Sequence, residues 1–337
     1  MKQLLVVFLL CFLLLGCTAV PPSTPDTSDE AASFSYRGMG GLPEGFDAQG
    51  HRGARGLVPE NTLPSFEAAL DLGVTTLELD LHFTQDGKVV IWHDPIIEKE
   101  LCRLPEEADE DLPDPRNPLR RIFISQQPLA AIQSYQCDLN PDPDRFPQQE
   151  ARAMPLAGRD YRIVTLGELF DFVAAYSESE AKSELQRENA ATVEFNIETK
   201  RKPNDPEAIG DGFTGGEAGP FEVAILDLVA AYGLTDRVVV QSFDHRSLQV
   251  IRAIDSEIRL AALTTRGEAK VKVYNGYKFD IWSPRARDLT LELLAEAQGL
   301  GLQVIPWTVN EVAEMERLIE MGVDGLISDR PDLLLQR

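Results

Sequence analysis

Along residues 76–83, Leu77, Leu79, Leu81 and Phe83 alternate with Glu78, Asp80 and His82. A period of two marks a strand whose two faces meet different surroundings. The turn residues QDG (85–87) predict a reversal, and the apolar run at 88–92 predicts the returning strand of a hairpin. Residues 47–53 read as a short first strand and turn. NTLPSFEAALDLG (61–73) reads as a helix, with Asn61 as its N-cap and Gly73 as its C-terminal stop. Helical spacing returns at 165–176, 221–233, 245–255, 288–301 and 310–322. Strand-like runs fall at 192–198, 237–243, 258–263, 279–284, 302–309 and 323–328.

With the hairpin's return set aside, eight principal strands centre near residues 49, 78, 195, 239, 260, 281, 305 and 326. Strands alternating with helices need a mostly parallel sheet with right-handed crossovers. Eight such units in this length favour an α/β fold of the closed (β/α)8, or TIM barrel, kind over an open sheet. No GxGxxG or Walker sequence sits at a strand–helix junction, which weakens nucleotide-binding alternatives. Residues 96–164 are rich in Pro, Asp, Glu and Arg and carry no sustained period. A connection this long is usually functional or an inserted subdomain. It follows the second strand and its hairpin, so it is expected over the barrel mouth.

Composition narrows the partners. A hydrophobic content of 43% with 26% charged residues belongs to a folded globular chain. The net charge of −23 argues against nucleic acid, whose phosphates must be met by clustered Lys and Arg. It leaves room for a divalent cation. No protein partner is predicted. The opening, MKQLLVVFLLCFLLLGCTAV, has a positive Lys2 and an apolar run at 4–15 too short to span a bilayer comfortably, so residues 1–16 are expected to be a signal peptide. LLLGC resembles a bacterial lipobox, which would make Cys17 the lipidated first residue of the mature chain; the competing reading is cleavage after Ala19. Residues 17–45 are then expected to be a flexible tether and 46–337 the barrel. Such a protein would be lipid-anchored in the cell envelope, facing the periplasm or held as an outer-membrane lipoprotein. In the body of the chain only Cys102 and Cys137 remain, and outside the cytoplasm they are either a disulfide or two free thiols.

In a barrel the C-terminal strand ends converge on one mouth. The first strand ends in His51-Arg52, the second carries Glu78 and Asp80, and its hairpin returns His93. The third ends in Glu198-x-Lys200, the fourth in Gln241-Ser242, and the seventh in Trp307. Three carboxylates without a cysteine make a hard oxygen site for Ca²⁺ or Mg²⁺. Arg52 and Lys200 supply positive charge for a phosphate. Two histidines let one accept a proton from a nucleophile while the other donates one to a leaving group. Together these groups point to phosphodiester cleavage. Gln241 and Ser242 are expected only to close their strand end.

HRGARGLVPENT, ELDLHFTQDGKVVIWHDP, IETK, QSFDH, PWTVN and GVDGLISDRP, in this order, closely resemble glycerophosphodiester phosphodiesterases. The resemblance spans about residues 47–332 and implies a TIM barrel with an inserted region after His93-Asp94. It implies His51 and His93 as the acid–base pair and Glu78, Asp80 and Glu198 as metal ligands. Arg52, Lys200, Glu60 and Trp307 would serve substrate binding. The reaction implied is hydrolysis of a glycerophosphodiester to glycerol 3-phosphate and an alcohol. Two other functions fit the residues: cleavage of an intact phospholipid or lysophospholipid, and a non-catalytic envelope lipoprotein that binds head groups. His82 shares the polar strand face, but the resemblance shows no fixed residue type there, so it is set outside the site. His245 is expected to be structural.

Overall fold

The structure, a computed structural model, describes residues 33–109, 111–265 and 269–336. The signal peptide, Cys17 and the tether up to residue 32 lie outside these residues.

The wall begins with β1 (Asp47–Gly50) and β2 (Thr76–Phe83), from which β3 (Val89–Ile91) folds back antiparallel as the hairpin return. It continues through β4 (Glu194–Thr199), β5 (Val238–Ser242), β6 (Arg259–Thr264), β7 (Ile281–Pro284), β8 (Gln303–Val304) and β9 (Gly325–Ser328). Apart from β3, all neighbours pair in parallel, in the order β8-β7-β6-β5-β4-β2-β1-β9. Backbone bonds close the ring: Asp324 N–H donates to Val304 O, Ile327 N–H to Pro306 O and Val309 N–H to Ile327 O, each at 3.0 Å. The eight-stranded barrel is therefore complete. Its outer helices are α1 (Leu63–Leu72), α3 (Leu166–Glu178), α4 (Glu184–Thr192), α5 (Pro220–Ala231), α6 (His245–Ile254), α7 (Val271–Gly276), α8 (Leu291–Gly299), α9 (Val312–Met321) and α10 (Pro331–Leu334), with the short α2 (Leu129–Ile132) inside the insertion.

The structure departs from the expected elements at three places. α1 is capped by Thr62, whose hydroxyl accepts from Ser65 N–H, and Gly73 ends it at φ 93°. Asn61 is not the cap; at φ 56° it turns its amide elsewhere. α4 escaped the periodicity because its buried residues are only Gln186 and Ala190. It is held by polar bonds instead: Gln186 donates to Asp71 O at 3.1 Å and Asn189 to Val74 O at 2.9 Å. Nor does the chain run loose as far as residue 45. Arg37 N–H bonds Leu72 O at 3.0 Å, and Leu42 and Phe46 are buried in the main core.

Alternation along each strand divides the molecule. Leu77, Leu79 and Leu81 on β2, with Phe195 and Ile197 on β4, join the core beneath the helices. Burying each such side chain stabilises the fold by roughly 1.5–3 kcal/mol. Inside the ring, one half is apolar, with Val239, Ala261, Ile281, Ile305 and Ile327 in a cluster of their own. The other half is polar: Gln49, Glu78, Asp80, Asn196, Glu198 and Gln241 are all buried. A structural barrel would fill both halves with apolar layers.

The insertion has its own core of Trp92, Ile97, Leu101, Ile122, Ile124, Ile132, Tyr135 and Ile163, with Cys102 joined to Cys137 by a disulfide. Closing a loop with a sequence separation of 35 contributes roughly 3–4 kcal/mol in the chain-entropy model. A separate polar joint binds the end of this segment to α1. Lys182 Nζ lies 2.6 Å from both Glu67 and Asp71, and Glu67 accepts from the Leu156 and Ala157 amides.

Candidate active site

Strand register brings the polar half to one level. Gly50 pairs with Leu77, so His51 follows beside Glu78. Asp80 pairs with Glu198, and Glu198 with Gln241. After β1 the chain turns sharply through Arg52 (φ 51°) and Gly53 (φ 84°). A Cβ on Gly53 would lie 2.6 Å from the Ser65 backbone, so only glycine lets this turn pass against α1. The resulting mouth is a cavity of about 340 Å³, lined by His51, His93, Glu78, Glu198, Lys200 and Trp307 among others. The insertion contributes Glu98, Leu101, Pro141 and Arg145 to its rim.

Glu78, Asp80 and Glu198 each offer an oxygen within 4.8 Å of the others. Their positions are set by amides: Gln241 donates to Glu78 Oε1 at 2.7 Å and Asn61 to Asp80 Oδ2 at 2.9 Å. Lys200 Nζ stands 3.2 Å from Asp80 Oδ1 and 2.8 Å from Glu198 Oε1. Asp80 Oδ1 is nonetheless buried without a hydrogen bond. Burial, then Asp80 and Glu198, holds the Glu78 carboxyl well above the usual range. Burial pushes Glu198 up to about 7, against the pull of Lys200. Buried acids that repel one another and leave an oxygen without a hydrogen bond fit a hard divalent cation.

Both histidines are anchored through Nδ1. His51 Nδ1 is 2.6 Å from Asp329 Oδ1, and Asp329 also accepts from Asn310 Nδ2 at 2.7 Å. His51 Nε2 lies 3.8 Å from Glu78 Oε2. His93 Nδ1 is 3.0 Å from Asp94 Oδ2. Burial is the main cause that lowers both imidazole pKa values below 6.5; Arg52 and Arg55 add to it at His51, and Arg52 and Lys200 at His93. The lowering suits a ring that acts as a base at Nε2, while the carboxylate on each Nδ1 works the other way and stabilises the protonated ring that an acid needs.

Arg52 is buried against acids: its guanidinium bonds Glu60 and approaches Asp80 Oδ2 at 3.1 Å, while its backbone N–H donates to Glu78 Oε2 at 3.0 Å. Glu60 spends one oxygen on Arg52 and the other on Arg55, so it holds arginines in place. Trp307 donates from its indole to Ser283 O at 3.0 Å and meets Phe243 edge-on at 5.5 Å. His82 lies outside the acid cluster and bonds the His93 carbonyl through Nε2 at 3.1 Å. His245 bonds Leu263 O at 3.0 Å, away from the mouth cluster.

Residues 51–333 match the model of the glycerophosphoryl diester phosphodiesterase family. The chain belongs to that family. It is a phosphoric diester hydrolase, an enzyme built on a (β/α)8 barrel. A glycerophosphodiester phosphodiesterase from Caldanaerobacter subterraneus is 24% identical over 287 residues, covering 85% of this chain and 94% of that protein. A solved structure from Silicibacter pomeroyi, assigned to the same activity, is 27% identical with a TM-score of 0.69, covering 88% of this chain and 94% of the other. A phosphodiesterase from Oleispira antarctica, solved with the product sn-glycerol-3-phosphate, shares the fold at 18% identity and a TM-score of 0.62, covering 87% and 95% of the two chains.

Sequence reasoning brought His51, His93, the three acids, Arg52, Lys200, Glu60 and Trp307 to the mouth, and the structure places all of them there. It missed Asp329, Asn310, Asn61, Arg55 and Asp94, and it treated Gln241 as a mere strand end. The signal was present: Asp329 lies in LISDRP, Asn310 in PWTVN and Gln241 in QSF, short polar interruptions at strand ends.

Proposed function

We propose that this enzyme hydrolyses glycerophosphodiesters to glycerol 3-phosphate and an alcohol. The observation that carries the reading is the convergence of two carboxylate-anchored imidazoles with a three-carboxylate cluster on one cavity. Glu78, Asp80 and Glu198 would hold the cation, Ca²⁺ or Mg²⁺. Such an ion, when bound, polarises the phosphoryl oxygens and neutralises developing charge. His51 and His93 then divide the proton transfers: one Nε2 takes the proton of the attacking group, either water or the glycerol 2-hydroxyl whose cyclic phosphate water then opens, and the other, protonated, delivers one to the departing alcohol oxygen. Asp329 and Asp94 keep each Nδ1–H in place so that Nε2 faces the substrate. Arg52 and Lys200 supply positive charge beside the phosphate, and Trp307 forms a wall of the pocket.

A small water-soluble diester is favoured over an intact phospholipid. Among the described residues, Leu119 is the one strongly exposed large apolar side chain on the insertion, and a lipid-facing lid would need a stripe. The assay is release of glycerol 3-phosphate by the purified enzyme from a panel of glycerophosphodiesters and phospholipids. Exhaustive EDTA treatment is expected to abolish turnover, with Ca²⁺ or Mg²⁺ restoring it. Turnover that survives chelation removes the cation from the mechanism. The N-terminal sequence supports a lipid anchor on Cys17 and an envelope location. Palmitate labelling that persists in Cys17→Ala would overturn that assignment.

A further inference from the structure

The insertion does more than cover the barrel. Its segment 140–150 docks onto the turn after His51: Glu150 N–H donates to Leu57 O at 3.0 Å, and Gln149 Nε2 donates to Arg55 O at 2.7 Å. At its centre Phe146 is buried at 3% exposure, and two guanidinium groups lie over its ring. Arg55 is 4.6 Å and Arg145 4.8 Å from the ring centroid. Both arginines line the catalytic cavity.

Stacking uses a guanidinium's face and leaves its N–H edge for an anion. Neither edge is fully neutralised here. Arg55 shares the carboxylate of Glu60 with Arg52 and, among the described residues, otherwise meets only one acid, Asp329, at 4.0 Å. Arg145 has Asp329 as its nearest acid, at 3.7 Å, and Asp329 is already bonded to His51 and Asn310. Arg145 is also about half exposed, at 53%, at the open rim. In a chain of net charge −23, two cavity-lining guanidinium groups on one ring are a local concentration of positive groups. Asp94 and Glu98, which follow His93, line the same cavity and repel an anion from their side.

Resting on the function proposed above, we infer that Arg55 and Arg145 form an anion subsite that takes a negative charge, phosphate or carboxylate, on the leaving alcohol of the diester. Arg145 is the specificity-determining member, because it is the outer, less committed guanidinium and comes from the inserted segment.

The test compares kcat/KM for matched diesters using the purified enzyme. Glycerophosphoglycerol is set against the same compound bearing a phosphate on the leaving glycerol, and glycerophosphoethanolamine against glycerophosphoserine. The wild-type enzyme is expected to prefer the charged member of at least one pair, and the favoured pair shows whether phosphate or carboxylate is the ligand. A charge-assisted contact is strong enough that Arg145→Gln should lower the charged-to-uncharged ratio about tenfold, mainly through KM. Arg145→Lys should restore part of it. Equal losses on both members of each pair would assign Arg145 to the reacting phosphate or to the fold, and would overturn the subsite. Unchanged kinetics on every diester would overturn it as well. A wild-type enzyme inactive on every diester would instead remove the underlying function, and the subsite with it.

Discussion

His51 and His93 face the same cavity from unlike scaffolds. His51 stands on the barrel itself, between β1 and β9, with its ring 12% exposed. Its partner Asp329 is 1% exposed, is fixed by Asn310, and has its carboxyl pulled far below the usual range, chiefly by His51 and Arg55 working against its burial. His93 follows the hairpin strand β3, with its ring 29% exposed, and its partner Asp94 is 30% exposed. Its backbone is braced by His82, whose own pKa burial lowers to about 4. The same chemical group is therefore locked on one side and adjustable on the other. The locked side is closed by distant parts of the chain, 278 residues apart, and the adjustable side by a neighbour in sequence. A partner brought in by the fold can be buried and held; an adjacent one stays near solvent with its own backbone.

The strongest challenge to this contrast is removal of each ring. His51→Ala and His93→Ala should each lower kcat by roughly 10²–10⁴-fold, the range for a lost general acid or base, with circular dichroism unchanged. Near-normal turnover of either would break the symmetry of roles while leaving the difference in setting.

Next come the anchors. Asp329→Asn should cost at least about tenfold more in kcat than Asp94→Asn, because a buried amide can reverse the His51 tautomer and water cannot replace the lost carboxylate. Equal effects in steady-state assays would show that burial of the anchor does not matter.

The last prediction reads stability rather than turnover and concerns His82. Its folded pKa of about 4 lies below the 6.5 of the free side chain, so the unfolded chain binds the extra proton first as pH falls. Stability from this group is complete above pH 6.5 and is lost as the pH falls toward 4, about 3 kcal/mol in all. A cation held by Asp80 would lower the His82 pKa further, so the sign is unaffected. Urea titrations at pH 7 and pH 4 should show this loss in the wild type and a smaller one in His82→Gln. A wild type with no acid-dependent loss would refute the account.

Much of the site was legible in the residues because it obeys short-range rules. Glu78 and Asp80 declare themselves by alternating with leucines whose faces must lie under helices. His93 is brought back by the QDG turn. The pairings across the barrel were not legible in this way. Gln241 reads as a strand end until β4 and β5 come into register and place it on Glu78. Asn61 reads as a cap until its left-handed backbone aims it at Asp80. Glu60 reads as a substrate-binding residue until both of its oxygens prove to be occupied by arginines.

The chain's own pattern of alternation and turns determined the eight strands, the interruption after the second, and the residue types at the mouth, since these follow from periods of two and 3.6 and from side-chain chemistry. Only the closed barrel decided which half of its interior is polar, that Asp329 orients His51, and that Phe146 carries two arginines to the rim. Apart from Arg145, which adjoins Phe146 in the chain, these contacts join residues far apart in sequence, and no local rule of spacing can set the distance between them.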